Sequence, residues 1–266
     1  WEIPREWNIR DAYIITPGGK KICEFKVSNL HVLNYSMPVN REVNFEELRD
    51  HLIYREDLPH AIPYATSYYK ERWGFCISYN EFKSLPAEGV YKVMIDASLE
   101  HGHLTYGHLV LPGKTDREIM FSSYLCHPSM ANNELSGPLA MAALYTRIAT
   151  LKERKFTYRF VLAPETIGII AYLNRYGETL KEKLLGGYVL SCCGDKGNIT
   201  YKESKKGNTL ADRIALRVLL ETGTPHKQIP FAIGGSDERQ FCSPGFNLPV
   251  GSVIRTPYQQ YKEYHT

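Results

Sequence analysis

The sequence has no long apolar run and no excess of one charge. No stretch approaches the roughly 18 consecutive apolar residues that a membrane helix requires, and the opening residues lack the apolar core of a signal peptide. The 32 Lys and Arg residues are interspersed with 29 Asp and Glu residues, so no basic patch for nucleic acid is predicted. We therefore expect a cytoplasmic protein that binds neither nucleic acid nor a membrane.

Cysteine is also scarce, and its spacing is not that of a disulfide framework or a zinc ribbon. The six cysteines include the vicinal pair Cys192 and Cys193 but no CxxC motif, which predicts buried free thiols. Internal repeats and low-complexity segments are absent as well. A chain of 266 residues with 43% hydrophobic residues is long enough to bury a large core without disulfides.

The composition of the sequence and the pattern of its apolar residues change near Pro112. Residues 45–111 are rich in tyrosine, histidine and short β-prone runs, which predicts a small β-rich domain. Beyond Pro112, short apolar runs alternate with longer periodic runs, which predicts an α/β fold. The predicted strands are residues 120–125, 158–163, 187–192 and 248–254, and the predicted helices are residues 136–151, 167–176 and 210–221.

Polar residues follow three of these predicted strands, where α/β sheets place their chemistry. The segment 126–137, CHPSMANNELSG, offers His127, Asn133 and Glu134, and Glu165 follows the next strand. Simpler structural roles compete with a functional one. His127 can be a hydrogen-bonded structural residue, Asn133 a helix cap, and Glu165 a first-turn carboxylate that the helix dipole favours. Residues 193–195 follow the third strand, and two weaker candidates, Asp237 and His265, lie nearer the end of the sequence.

Together these segments resemble the co-catalytic zinc aminopeptidases, and more closely a bacterial aminopeptidase-like branch often encoded beside polysaccharide-biosynthesis genes. The resemblance extends through most of the chain, in the words WEIPREW, SNLHVLNYSMPV, IPYATSYYKERWGFC, CHPSMANNELSG, PETIG, GGSDERQFCSPGFNLPVGS and YHT. It implies a mixed sheet flanked by helices, formed by residues 1–44 and 112–266. The β-rich domain of residues 45–111 is inserted into it, and a winged helix often follows in the branch.

The resemblance also implies roles for individual residues. His127 is the first metal ligand, Asn133 the counterpart of a bridging aspartate, Glu165 the general base and His265 the last ligand. This sequence departs from the family pattern at three carboxylates. Asn133 replaces the bridging aspartate, and Thr166 replaces a glutamate that binds metal in the family. Ser191, Cys192 or Cys193 stands where a further aspartate is expected.

These departures favour one zinc ion over two, because carboxylates normally offset the repulsion between two nearby divalent cations. His127 and His265 are then the predicted nitrogen ligands. Three candidates compete for the third position: Glu134, the amide oxygen of Asn133, or a cysteine thiolate. A carboxylate neutralises charge, which favours Glu134. Neighbouring residues point in different directions, which favours Asn133 in the place of the family aspartate.

The sequence thus predicts a zinc-dependent aminopeptidase or amidohydrolase acting on a small peptide, aminoacyl or amino-sugar ligand. Asp237 and Thr166 are assigned to the substrate or to the surroundings of the metal ligands. The alternative is a non-catalytic peptide- or amino-sugar-binding protein, since fold does not guarantee chemistry. Cys126 is predicted to point away from His127, which disfavours a cysteine hydrolase. The sequence permits a homo-oligomer.

Overall fold

The structure is a computed structural model that describes residues 2–68 and 70–266. Its internal contacts divide the chain into two compact units. The first unit comprises the described residues up to Leu104 together with His265–Thr266, and the second comprises Thr105–Tyr264. No helix in the described part of the chain combines the length and the apolar character needed to cross a membrane.

The first unit is built on a four-stranded antiparallel sheet with the order β2-β1-β6-β3. A parallel pair, β4 and β5, lies in the same unit. Alternate residues of β1 and β6, such as Ala12 and Val93, point into a shared apolar core. In chain order the elements are β1 (Glu6–Ile15), β2 (Lys21–Ile22), a 3-10 turn (Asn29–His31), β3 (Val39–Val43), α1 (Phe45–Asp50), β4 (Leu52–Ile53), β5 (Phe75–Cys76), α2 (Tyr79–Lys83) and β6 (Tyr91–Glu100).

The predicted division into residues 1–44 and 112–266 on one side and 45–111 on the other is corrected by this strand pairing. Strand β1 pairs with β6 from Glu6 opposite Glu100 to Ile15 opposite Lys92, so the opening residues belong to the β-rich unit. At the other boundary, residues 107–111 pair with residues 158–162 and belong to the second unit. Local composition cannot predict these pairings, because they join segments that are far apart in the sequence.

The second unit contains a seven-stranded mixed sheet with helices packed against it, which confirms the predicted α/β class. A π-helical turn, Ala131–Leu135, leads into the first of its helices. In chain order the other elements are β7 (Gly107–Leu111), β8 (Glu118–Tyr124), α3 (Ser136–Ala149), β9 (Thr157–Ala163), α4 (Ile167–Lys183), β10 (Leu184–Leu190), β11 (Ile199–Lys202), α5 (Leu210–Glu221), β12 (His226–Ile229), α6 (Glu238–Phe241) and β13 (Val250–Ile254).

The strand order of this sheet is β12-β11-β13-β10-β8-β9-β7. The central strands β13, β10, β8 and β9 are parallel to one another, whereas β7 and β11 run antiparallel to their neighbours β9 and β13. Alternate residues of the parallel strands enter two separate apolar clusters. Met120 and Val161 pack with residues of α4, whereas Phe121 and Phe160 pack with Met141 of α3. Helices therefore cover both faces, and the parallel strands end at one edge.

Helix α4 extends to Lys183, seven residues past the predicted end at Tyr176. The extension follows from its buried positions, since Gly177 and Leu180 continue the apolar stripe begun by Ile169 and Leu173. A bulkier residue than glycine does not fit at position 177, where an added Cβ would lie 2.2 Å from Cε1 of Phe246.

Candidate functional site

Three loops follow the carboxyl ends of neighbouring parallel strands β8, β9 and β10. They contain the segments that the sequence singled out: residues 126–129, 164–166 and 193–195. Parallel strands in one sheet bring their carboxyl ends to the same edge, so these loops share a region of the second unit. The loops that carry the predicted site residues therefore follow strands that end at one edge of the sheet.

The loop after β8 brings the side chains of His127 and Glu134 together. His127 Nδ1 lies 3.1 Å from Glu134 Oε2, and the backbone N–H of Cys126 donates to Glu134 Oε1. Glu134 is 2% exposed, because the π-helical turn directs it inward. A carboxylate in this position accepts the Nδ1 proton of the imidazole and fixes the orientation of the ring. Glu134 thus contacts the histidine, and its role as a metal ligand stays a prediction.

Asn133 is buried next to Glu134. Its side-chain nitrogen is hydrogen-bonded, whereas its side-chain oxygen is not. Its Nδ2 donates to Tyr124 Oη at 2.9 Å and lies 3.6 Å from Cys192 Sγ. Its Oδ1 is buried and has no hydrogen-bond partner among the described residues. A buried acceptor left unsatisfied costs about 1–3 kcal/mol, so a ligand that engages Oδ1 would recover that free energy.

Glu165 and Thr166 form the turn between β9 and α4, and residues of a distant loop hold both. Ser236 Oγ donates to Glu165 Oε1 at 2.6 Å, and the Thr166 N–H donates to Asp237 Oδ1 at 2.7 Å. Thr166 has φ 64° and ψ −69°, a conformation that costs a non-glycine residue about 1–3 kcal/mol. The two hydrogen bonds therefore fix the direction of the Glu165 carboxylate.

Asp237 does not have the exposure that a substrate contact requires. Its side chain is fully buried, and burial raises the pKa of its carboxyl group well above the usual value. Its Oδ2 has no hydrogen-bond partner among the described residues. Of the two roles predicted for Asp237, this geometry favours support of the Glu165 turn.

Glu238 adds another buried carboxylate, and Lys202 partly neutralises it. Lys202 Nζ lies 2.8 Å from Glu238 Oε1 and donates to the carbonyl of Gly234 at 2.5 Å. Glu238 Oε2 is a further buried oxygen without a partner in the described structure.

Burial is the main factor that raises the pKa of Glu165, with the charges of Glu134 and Glu238 adding to it. A crowded acidic region of this kind favours a bound cation or shared protons.

The side chains of Cys126, His127 and Glu165 place one sulfur, one nitrogen and one oxygen atom within 4.8 Å of one another. Cys126 Sγ is 3.0 Å from His127 Nδ1. The prediction that these two residues point apart was wrong, because both lie beyond the last residue of β8 and are free of strand alternation. Zinc accepts all three atom types, so the donor set fits a metal ion.

The pKa of Cys126 argues against a cysteine nucleophile. Burial of the thiol and the negative charges of Glu134 and Glu165 raise its pKa above the ordinary value. A cysteine that acts as a nucleophile needs the opposite shift.

The loop after β10 supplies no free carboxylate. Ser191 Oγ and Tyr258 Oη are hydrogen-bonded at 2.5 Å, and the Cys193 N–H donates to Ser136 Oγ at 2.8 Å. Asp195 accepts hydrogen bonds from Asn132, Gly197 and Thr256, which together outweigh the effect of burial and lower its pKa. Asp195 is therefore a structural acceptor that links three loops.

His265 is grouped with the first unit, where its carbonyl oxygen accepts from the Tyr64 N–H at 2.8 Å. Its ring packs edge-on against the Tyr64 ring at 5.3 Å. The sulfur, nitrogen and oxygen donors described above assemble within the second unit. The role of His265 as the last metal ligand stays a prediction.

Sequence reasoning did not single out Ser236 or Lys202, and it considered Cys126 by name only as a nucleophile. Ser236 belongs to the acidic segment 234–241 that the sequence had flagged, so its neighbourhood was visible although its contact with Glu165 was not. Lys202 ends β11 and has no local signal that pairs it with Glu238, which follows 36 residues later.

Comparison with known proteins gives related sequences and folds. The profile of a family described as "Domain of unknown function (DUF4910)" matches residues 1–266. A protein of Clostridium acetobutylicum named "Putative polysaccharide biosynthesis protein with aminopeptidase-like domain" is 44% identical over 266 residues. The match covers all of this chain and 60% of that protein, so the chain spans about three fifths of the relative's length.

Solved structures give the same picture of the fold. A crystal structure described as a "putative peptidase" from Clostridium acetobutylicum superimposes with a TM-score of 0.95 at 43% identity, covering 100% of this chain and 62% of that one. BSAP, a zinc aminopeptidase from Bacillus subtilis, superimposes with a TM-score of 0.65 at 12% identity, covering 100% of this chain and 76% of that one. The second similarity is one of fold alone, and it confirms the expected aminopeptidase fold.

Proposed function

The chain belongs to the DUF4910 family, and on that premise we propose that it is a zinc-dependent hydrolase that cleaves a peptide or amide bond next to a free amine. The observation that carries the proposal is the cluster of Cys126, His127 and Glu165, whose donor atoms lie within 4.8 Å of one another. This cluster lies at the carboxyl edge of a sheet with the aminopeptidase fold. The relative named for an aminopeptidase-like domain supports the same reaction class.

The residues that would hold the metal are His127 and Cys126, with His265 as a further predicted ligand. Glu134 would orient His127 through the 3.1 Å contact at Nδ1. When bound there, a zinc ion polarises a carbonyl oxygen and lowers the pKa of a coordinated water molecule. One ion is proposed, because Asn133, Thr166 and one of the residues 191–193 occupy the positions whose carboxylates would neutralise a second.

Glu165 is proposed as the general base that takes a proton from the attacking water and passes it to the leaving amine. A base works best when its pKa approaches the working pH, and burial raises the pKa of Glu165 in that direction. The hydroxyl of Ser236 holds Oε1, so the carboxylate keeps one orientation. Asp237 fixes the adjoining turn through the Thr166 N–H.

A second candidate function is non-catalytic binding of a peptide or an amino sugar by the same region. The specific feature in its favour is that three positions expected to carry carboxylates carry Asn133, Thr166 and either Ser191, Cys192 or Cys193. Asn133 and Ser191 also form hydrogen bonds to the tyrosines Tyr124 and Tyr258. The name of the Clostridium acetobutylicum relative, which mentions polysaccharide biosynthesis, is consistent with a saccharide ligand.

We propose a cytoplasmic location because none of the cysteines forms a disulfide bond. All six are free thiols, including the fully buried Cys76 and Cys242. Free thiols persist in reducing compartments.

The test compares wild-type protein with Glu165→Gln by elemental analysis and by hydrolysis of aminoacyl anilides. If Glu165 is the base, the variant keeps its zinc while turnover falls by roughly 10²–10⁴. Loss of zinc from the variant would instead make Glu165 a ligand. Exposed Glu178→Gln, on the outer side of α4, is the matched control and should change neither measurement. A zinc-free wild type without hydrolysis, but with measurable binding of peptides or amino sugars, would favour the second candidate.

A further inference from the structure

An open cavity of about 220 Å³ lies in the first unit, apart from the polar cluster described above. Tyr35 and Tyr68 form one part of its wall, with their ring centroids 6.4 Å apart. Tyr35 also stacks on Trp7 at 6.1 Å and an interplanar angle of 20°. Met37 and Leu99 extend this wall with aliphatic surface. The cavity therefore offers a ligand a broad aromatic and apolar face.

Both tyrosines have a backbone conformation that is unfavourable for their residue type. Tyr35 has φ 64° and Tyr68 has φ 47°, in the left-handed region that favours glycine. Surrounding hydrogen bonds hold them there. Ser67 Oγ donates to the Tyr35 carbonyl at 3.0 Å, and the Ser67 N–H donates to the Asn34 carbonyl at 2.9 Å. Strained residues held in this way concentrate at ligand clamps.

Apart from Pro4, the remaining lining of the cavity is charged and more positive than negative. Arg5 and Lys70 contribute two cations and Glu71 one carboxylate, and all three residues are exposed at the surface. Two cations disfavour a quaternary ammonium ligand, which aromatic cages otherwise attract. They favour a ligand that carries negative charge beside its polar groups.

The volume of the cavity suits a ligand that places a single ring inside it. Cavities for drug-sized ligands span roughly 300–1,000 Å³, and 220 Å³ is below that range. A pyranose sugar presents an apolar face of C–H groups and a polar rim of hydroxyl groups, which matches an apolar wall with charged residues beside it. Such a ligand pairs the aromatic rings with its C–H face and the cations with its anionic group.

We propose that this cavity binds one pyranose ring that carries a carboxylate or a phosphate group. The C–H face of the sugar packs on Tyr35 and Tyr68, and the anionic group pairs with Arg5 and Lys70. Glu71 accepts hydrogen bonds from sugar hydroxyl groups. This inference does not depend on the zinc hydrolase proposal, because it concerns other residues in the other unit.

The experiment is saturation-transfer NMR on the intact protein with four probes. Glucuronate and glucose 1-phosphate test the two sources of negative charge, glucose is the neutral comparison and glucosamine the cationic one. We expect binding of at least one anionic probe about tenfold tighter than binding of glucose, and no binding of glucosamine. Absence of transfer to both anionic probes would overturn the proposal. Equal binding of glucosamine and glucuronate would also overturn it.

Two variants locate the binding. Tyr68→Asn removes a ring that is 59% exposed and substitutes a residue that tolerates positive φ, and Arg5→Gln removes one cation. Each should weaken binding of the anionic probe by about tenfold. Arg10→Gln, an exposed position on β1 outside the cavity, is the matched control and should leave binding unchanged. Unchanged binding in both cavity variants would place the ligand elsewhere and refute the assignment. Should Tyr68→Asn fail to fold, Arg5→Gln decides alone.

Discussion

Replacing Lys202 by methionine tests whether buried charge pairing stabilises the acidic region of the second unit. The Lys202 ammonium and the Glu238 carboxylate are 2.8 Å apart, and their side chains are 7% and 1% exposed. Methionine keeps the length and apolar stem of lysine but removes the charge, so Glu238 is left buried without its cation. The hydrogen bond to the Gly234 carbonyl is lost as well.

The expected cost is set by the burial of both partners. Removing one member of a buried ion pair destabilises a protein by about 3–5 kcal/mol, because the remaining charge is uncompensated. For a chain of this size each kcal/mol lowers Tm by roughly 2–4 °C, so the expected fall is roughly 6–20 °C. The wild-type pair by itself does not contribute that much, since desolvation of both charges offsets most of their attraction.

Lys181→Met provides a matched control. Lys181 and Glu178 are also 2.8 Å apart, but their side chains are 36% and 85% exposed. A solvent-exposed pair contributes about 0–1 kcal/mol, so this variant should unfold close to the wild type. Urea denaturation followed by circular dichroism measures both variants. The double variant Lys202→Met with Glu238→Gln removes the uncompensated charge and should recover a large part of the loss.

The reasoning would be refuted by a Lys202→Met variant that loses less than about 1 kcal/mol, or no more than Lys181→Met. Either result would mean that Glu238 is neutral or solvated in the folded protein. A double variant no more stable than Lys202→Met would show that lost packing of the lysine stem, and not charge, causes the destabilisation.

Two further predictions concern positions where the structure constrains one residue type. Asp212 is fully buried and accepts hydrogen bonds from Tyr201, Ser204 and Thr209, which lower its pKa against the effect of burial. Its stabilising contribution is present above its unfolded pKa of about 3.9 and is lost as pH falls through the lower folded pKa. Urea unfolding between pH 6 and pH 2 should therefore show a steeper acid loss for wild type than for Asp212→Asn, and parallel curves would contradict this. Gly235 has φ 130°, and a Cβ there would lie 2.4 Å from Glu238 Oε1. Gly235→Ala should cost more than about 1 kcal/mol, whereas Gly234→Ala, with open space around its Cβ, should be close to neutral in the same assay.

The candidate site shows which of its features local sequence predicts and which it does not. Segments 126–137 and 164–166 could be placed after strands because each follows a β-prone apolar run, and β8 and β9 end where expected. The contact between Glu134 and His127 could not be foreseen, because a π-helical turn directs Glu134 inward. The approach of Cys126 to His127 was mispredicted, because strand alternation was extended past the end of the strand.

The sequence by itself determined the α/β class, the helices after β8, β9 and β11, and the loops that carry the candidate site residues, since periodicity and turn residues act over short distances. Tertiary structure alone decided which segments share a sheet and which charges meet. Strand β1 pairs with β6 some 80 residues later, and Ser236 reaches Glu165 across 71 residues. Such contacts form only where burial of many apolar side chains outweighs the entropy of closing long loops, and that balance belongs to the whole chain.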